Sequence, residues 1–237
     1  MRWPLLLLAS ATAAVAEPLI SGGGFESPLV QERTPASAGG TPLKGPGNRD
    51  WIEFTVKPGT GAGFTAGLAN GFARTGKQSL YASFDHFDGF SAGCTLVSNL
   101  IPVQAGAKYR AFIWGRSHPD RPLTLDQRAP FLKFMAEFFL RDGIANTGDV
   151  EIRLHPIPDN RVRLGKRQPL FNSSQWNEFA VDLDAPADAA FVRITWKIEL
   201  GREPGMTNGI FHLDDAGLTG PRPPAETGPA ETPEKNP

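Results

Sequence analysis

The stretch "FLKFMAEFFLR", Phe131 to Arg141, alternates with a period of two. Leu132, Phe134, Ala136, Phe138 and Leu140 share one side, and Lys133, Met135, Glu137, Phe139 and Arg141 share the other. Successive side chains of a strand point to opposite faces, whereas a helix repeats every 3.6 residues. The run "VRITWKIEL", Val192 to Leu200, does the same: Val192, Ile194, Trp196, Ile198 and Leu200 oppose Arg193, Thr195, Lys197 and Glu199. Each run predicts a strand with one face on a core and the other on solvent or a cleft.

Working outward, further strand-like runs are "DWIEFTV", "QSLYASF", "CTLVSNL", "AKYRAFIWGR", "VEIRLHP", "NEFAVDL" and "GIFHLDDAGL". Gly- and Pro-rich signals such as "KPGTGAG", "QAGA", "RDG", "PDN", "DAPAD" and "EPGMTNG" separate them. Helical periodicity is almost absent. Many short strands with this punctuation predict an all-β sandwich or jelly roll. The tail from Pro221 to Pro237 has no large apolar residue and predicts disorder. The expected organisation is one domain over residues 17–220, followed by that tail.

Residues 1–16 read as a signal peptide: Arg2, an apolar run from Pro4 to Val15, and an A-x-A site at Ala14 to Ala16. The run is too short to span a bilayer, for which about 20 apolar residues are needed. The expected location is secreted or periplasmic, with no membrane insertion. Removing the leader takes away one Arg, leaving 23 basic and 25 acidic residues and a formal charge of −2. That balance gives no electrostatic case for nucleic acid. The single cysteine, Cys94, excludes an internal disulfide and reads as a small core residue. A single core of this size needs no such staple.

The order of the segments resembles carbohydrate-binding module families 4, 9 and 22. "LISGGGFES" is similar to their "NGGFE" opening, and "TGKQSLYASF" to their G-x-x-S-L-x-V segment. "VQAGAKYRAFIWGR" is similar to V-x-x-G-x-x-Y-x-x-S-F-W-x-K. "WNEFAVDLDAPADAAFVRITWKI" and "GIFHLDDAGL" are similar to the late W, P-x-x-A and Y-x-D-D-V-x-L segments. The matches run in order from Leu19 to Leu218. The resemblance implies a galactose-binding-like β-sandwich. It also implies a structural calcium where the terminal strands meet, with ligands from the Gly24 carbonyl, Glu26, and Asp214 or Asp215. Arg74, in "ARTGKQS", stands where some members carry an acid. Two stretches depart from the pattern: the polar insertion from Ser117 to Ala129 and the basic region from Glu151 to Phe171.

Several residues are candidates for chemistry. In "YRAFIWGR", Tyr109, Ala111 and Ile113 suit the core, so Arg110, Phe112, Trp114 and Arg116 face outward. Trp114 flanked by arginines is the expected sugar platform, because the flat C–H faces of a sugar stack on indole. Phe112, Arg116, Glu137, Lys197 and Glu199 are the expected companions. Glu137 and Glu199 also raise an alternative, a polysaccharide lyase or glycoside hydrolase using two carboxylates across a groove. Trp51, Trp176 and Trp196 read as core. The four histidines show no zinc spacing, and His86 with Asp85 and Asp88 reads as a solvated loop. The function expected is recognition of a poly- or oligosaccharide without cleavage. The enzyme, or a structural envelope or adhesion domain, are the alternatives.

Overall fold

A computed structural model describes residues 19–20, 25–26, 30–31, 41–44, 51–89, 91–122, 131–154, 175–200 and 207–223. The leader and the tail beyond Pro223 lie outside these residues, as do Gly24 and most of the basic region. Every regular element among the described residues is a strand. In chain order these are β1 (Val30–Gln31), β2 (Thr41–Lys44), β3 (Trp51–Lys57), β4 (Phe64–Asn70), β5 (Gln78–Phe87), β6 (Gly93–Ser98) and β7 (Ile101–Pro102). They continue with β8 (Lys108–Ser117), β9 (Phe131–Phe139), β10 (Asn146–Leu154), β11 (Asn177–Asp184), β12 (Phe191–Glu199) and β13 (Thr207–Thr219).

The strands form two antiparallel sheets. The larger has the order β1-β2-β3-β6-β12-β9-β10, with β7 also paired to β12; the smaller has the order β11-β8-β13-β5-β4. The sheets pack face to face as an all-β sandwich, because each strand contributes its apolar parity to one shared core. From the larger sheet come Leu132, Phe134, Ala136, Phe138, Val192, Ile194, Trp196 and Ile198. From the smaller come Tyr109, Ala111, Ile113, Val181, Leu183, Phe211 and Leu213. Phe134 and Trp196 sit directly opposite on β9 and β12, with ring centroids 4.7 Å apart. Such an aromatic cross-strand pair is worth up to about 1 kcal/mol relative to an alanine pair.

Each strand-like run named from the sequence falls on a strand. The sequence reading missed the short strands β1, β2 and β7, and also β4, whose residues "FTAGLAN" follow a glycine-rich turn and carry little apolar bulk. Cys94 is buried, and desolvation pushes its thiol up to about 12, so it is inert. The ends of the domain meet at β13: the Leu19 amide donates to the Leu218 carbonyl at 2.7 Å.

Candidate functional site

The apolar parity of each strand fixes what its opposite parity shows to the outside. On β8 the outward residues are Lys108, Arg110, Phe112, Trp114 and Arg116. Register extends this stripe across the sheet. Trp114 pairs with Glu178 on β11 and Asp214 on β13, while Phe112 pairs with Ala180 and Gly217. Arg110 pairs with Asp182 and Thr219, and Arg116 pairs with His212. Phe112 lies over Gly217, where a Cβ would sit 2.5 Å from the ring, so only glycine admits that packing. Arg110 donates to Glu178 at 2.9 Å and to Asp182 at 3.5 Å. At this end the stripe opens into a cleft of about 400 Å³, lined by Lys108, Arg110, Asp182, Asp184, Thr219 and Gly220 among others.

The other end of the stripe is covered. The β4–β5 connection, residues 71–77, lies across the outer face like a strap. The Arg74 guanidinium carbon stands 3.9 Å from the Trp114 ring centroid. Trp114 therefore faces outward as the alternation requires, but it is capped rather than bare. Phe72, from the same strap, packs on His118, Trp176 and His212, at centroid distances of 5.0, 5.9 and 4.2 Å. Trp176 belongs to this outer cluster and is half-buried, which corrects its assignment to the core. Its parity with Glu178 and Asp182, opposite Val181 and Leu183, carried that signal in the sequence.

His212 is 3% exposed. Ser79 Oγ donates to the Phe72 carbonyl, so His212 Nδ1 serves as donor to Ser79 Oγ at 3.1 Å. That tautomer leaves Nε2 as a bare acceptor, and it has no partner among the described residues. Burial, His118 and Arg116 together lower the His212 pKa to about 3, keeping the ring neutral. His86 sits at 3.0 Å from Asp85 on an exposed surface.

The companions expected on the other strands are elsewhere. Glu137, Lys197 and Glu199 lie on the outer face of the larger sheet, with the core between them and Trp114, Phe112 and Arg116. The six therefore do not form one site. Glu137 is opposite Arg193, whereas Glu199 is opposite Phe131. That places the two carboxylates six positions apart along adjacent strands, about 20 Å at the strand rise of ~3.3 Å. Paired glycosidase carboxylates stand roughly 5–9.5 Å apart, so these two cannot work as a pair. Glu199 instead bonds Lys197 at 3.1 Å.

The expected calcium ligands meet different partners. Glu26 Oε1 accepts the Lys77 and Gln78 amides at 2.7 and 3.0 Å. Asp214 Oδ2 accepts the Arg74 and Thr75 amides, and its Oδ1 accepts the Asp215 amide. Asp215 takes the Arg74 guanidinium on one oxygen and the Thr75 hydroxyl on the other. Calcium asks for six to eight inward-facing oxygens. Here five of the six carboxylate oxygens already accept protein donors, one of them cationic. As placed, the three described carboxylates do not present that set of oxygens to an ion. Among the described residues no group of three or more His, Cys, Asp or Glu could hold a metal.

No protein-family profile matches the sequence, and no curated protein sequence matches it. Among solved structures, the chain is similar to the enzymatically active domain of bacteriophage CBA120 tailspike protein 4, with 13% identity and a TM-score of 0.43. That match covers 71% of this chain but only 19% of the tailspike chain. It is also similar to the family 61 carbohydrate-binding module TmCBM61 in complex with β-1,4-galactotriose, with 15% identity and a TM-score of 0.40. This match covers 87% of the chain and 100% of the module. A family 4 carbohydrate-binding module matches at 14% identity and a TM-score of 0.39, covering 85% of the chain and 99% of the module.

Proposed function

We propose that this chain is an exported, non-catalytic protein that binds a neutral poly- or oligosaccharide on the outer face of its smaller sheet. The observation that carries the reading is the β8 stripe at its uncovered end. There, half-buried Phe112 offers an aromatic surface beside Arg110, Glu178 and Asp182, and Arg110 and Asp182 also line an open cleft of mixed polar and apolar surface. A ligand site needs a hydrophobic surface for stacking and a few placed donors and acceptors for orientation. Both occur together here, and the cations of Arg110 are already balanced by carboxylates, which disfavours a strongly anionic ligand. The separation of Glu137 from Glu199 removes the pair on which the hydrolase or lyase reading depended.

The test is a glycan-binding screen of the mature chain, run beside reducing-sugar and unsaturated-product assays. The expected result is saturable binding to a neutral glycan with no product. Product formation would make the protein an enzyme, and absence of binding to every glycan would favour a structural or adhesive role. Export is tested separately, by N-terminal sequencing of the processed protein, with Glu17 expected as its first residue.

A further inference from the structure

Three carboxylates, Glu26, Asp214 and Asp215, hold the strap where the start of the domain meets β13, and one of their donors is a cation. Asp214 is fully buried, and Asp215 adjoins it at a bulge, where the register of β13 on β8 slips between Asp214 and Gly217. Asp215 occupies the left-handed region, with a φ of 46°, a conformation that Asp tolerates better than most residues. The bulge turns its carboxylate toward the strap, where Arg74 Nη1 meets Oδ2 at 2.5 Å. Two adjacent acids on one strand repel unless something positive lies between them and solvent.

We propose that Arg74 is the resident cation of this corner. Its guanidinium ties the 71–77 strap to β13, taking the part that a divalent ion would otherwise play, and by the same contact it closes the outer face of Trp114. Only arginine can do both. Its planar group offers an edge of donors to a carboxylate and a flat face to an indole, whereas the compact ammonium of lysine offers a point charge. The other bonds from the strap to these carboxylates are neutral, backbone amides to Asp214 and Glu26 and the Thr75 hydroxyl to Asp215, so the side chain of Arg74 is the one charged donor of the clasp. The assignment stands on this geometry and does not depend on the saccharide reading.

The experiment measures Tm and acrylamide quenching of tryptophan fluorescence on the mature chain, with calcium and with chelator. The wild-type Tm should be the same in both. Arg74→Gln should lower Tm by roughly 3–10 °C, the scale for losing one charge-assisted contact in a chain of this size. It should also raise quenching, and that increment should vanish in a Trp114→Phe background. Arg74→Lys should recover part of the Tm while quenching stays high. A wild-type Tm that falls with chelator overturns the proposal. So does Arg74→Gln with unchanged quenching, whatever its Tm, because clasp and cap are one contact. Should Arg74→Gln not fold, Asp215→Asn reads the same clasp from the other side, and unchanged quenching there overturns it too.

Discussion

Gly76 leaves the space that the Glu26 side chain fills. A Cβ at residue 76 would collide with the Glu26 carboxylate, and the backbone there has a φ of +66°. Space and conformation both demand glycine. Glu26 is in turn aimed by Phe25, which adopts a φ of 51° while its ring is buried in the core. Phe25 and Glu26 thus place one aromatic inside and one carboxylate on the strap.

Gly76→Ala should therefore destabilise by about 2–3 kcal/mol, combining the left-handed penalty with displacement of Glu26 from two amides. Chemical denaturation with an unchanged m-value would measure it. A change within about 0.5 kcal/mol, the range for indifferent surface sites, would mean that the Glu26 contact carries no stability.

The pH dependence of stability sets two neighbours on β13 against each other. His212 has its pKa lowered to about 3 from 6.5, with burial first among the causes, then His118 and Arg116. The unfolded chain then holds the extra proton, so this group removes stability as pH falls from about 6.5 toward 3. Asp214 has its pKa raised to about 6 from 3.8, chiefly by burial and against the pull of the Arg74 amide. Here the folded chain holds the extra proton, so stability is lost as pH rises from about 4 to 6. Across that shared window unfolding moves a proton from Asp214 to His212 and releases none, so the two contributions cancel. Asp214→Asn should expose the histidine slope, about 1.4 kcal/mol gained per pH unit on raising pH. His212→Gln should expose the opposite slope. If both variants tilt the same way, one of the two assignments is wrong.

The tryptophans differ in what their removal costs. Trp196 is wholly within the core, so Trp196→Ala should cost about 3–5 kcal/mol. Trp114→Ala removes a half-buried ring under a guanidinium and should cost about 1–2 kcal/mol, from the lost cation–π contact and partial burial. Urea melts of the two variants check the order. A larger loss for Trp114 would place it in the core after all.

Parity made the sandwich legible in the sequence. Alternation in "FLKFMAEFFLR" and "VRITWKIEL" assigned the inner faces that pack together, and the same rule placed Trp114, Phe112 and Arg116 outside. Parity also held a signal for Trp176 and His212, both out of phase with their buried neighbours. What alternation cannot give is which outer face belongs to which sheet. Glu137 and Trp114 obey the same rule on strands with the core between them, and only strand order separates them. Nor can it show a loop folding back: Arg74 and Trp114 are far apart in sequence, and they meet because the strap is held on the sheet by three carboxylates and by the packing of Phe72.

Binding should depend on the uncovered end of the stripe. Phe112 rests on Gly217 with little of the core behind it, so Phe112→Ala should leave the fold intact and weaken glycan affinity by about 1–3 kcal/mol, roughly ten- to a hundredfold. Arg110→Ala should weaken it less, because Glu178 and Asp182 already engage that guanidinium and water replaces it readily at an exposed site. Glu137→Gln, on the opposite face of the sandwich, should leave affinity unchanged. Isothermal titration with the best glycan from the screen distinguishes these cases. Loss of affinity in Glu137→Gln, with Phe112→Ala binding normally, would move the site to the larger sheet. A calorimetric response that no variant alters would place the ligand away from both faces, at the ends of the sandwich.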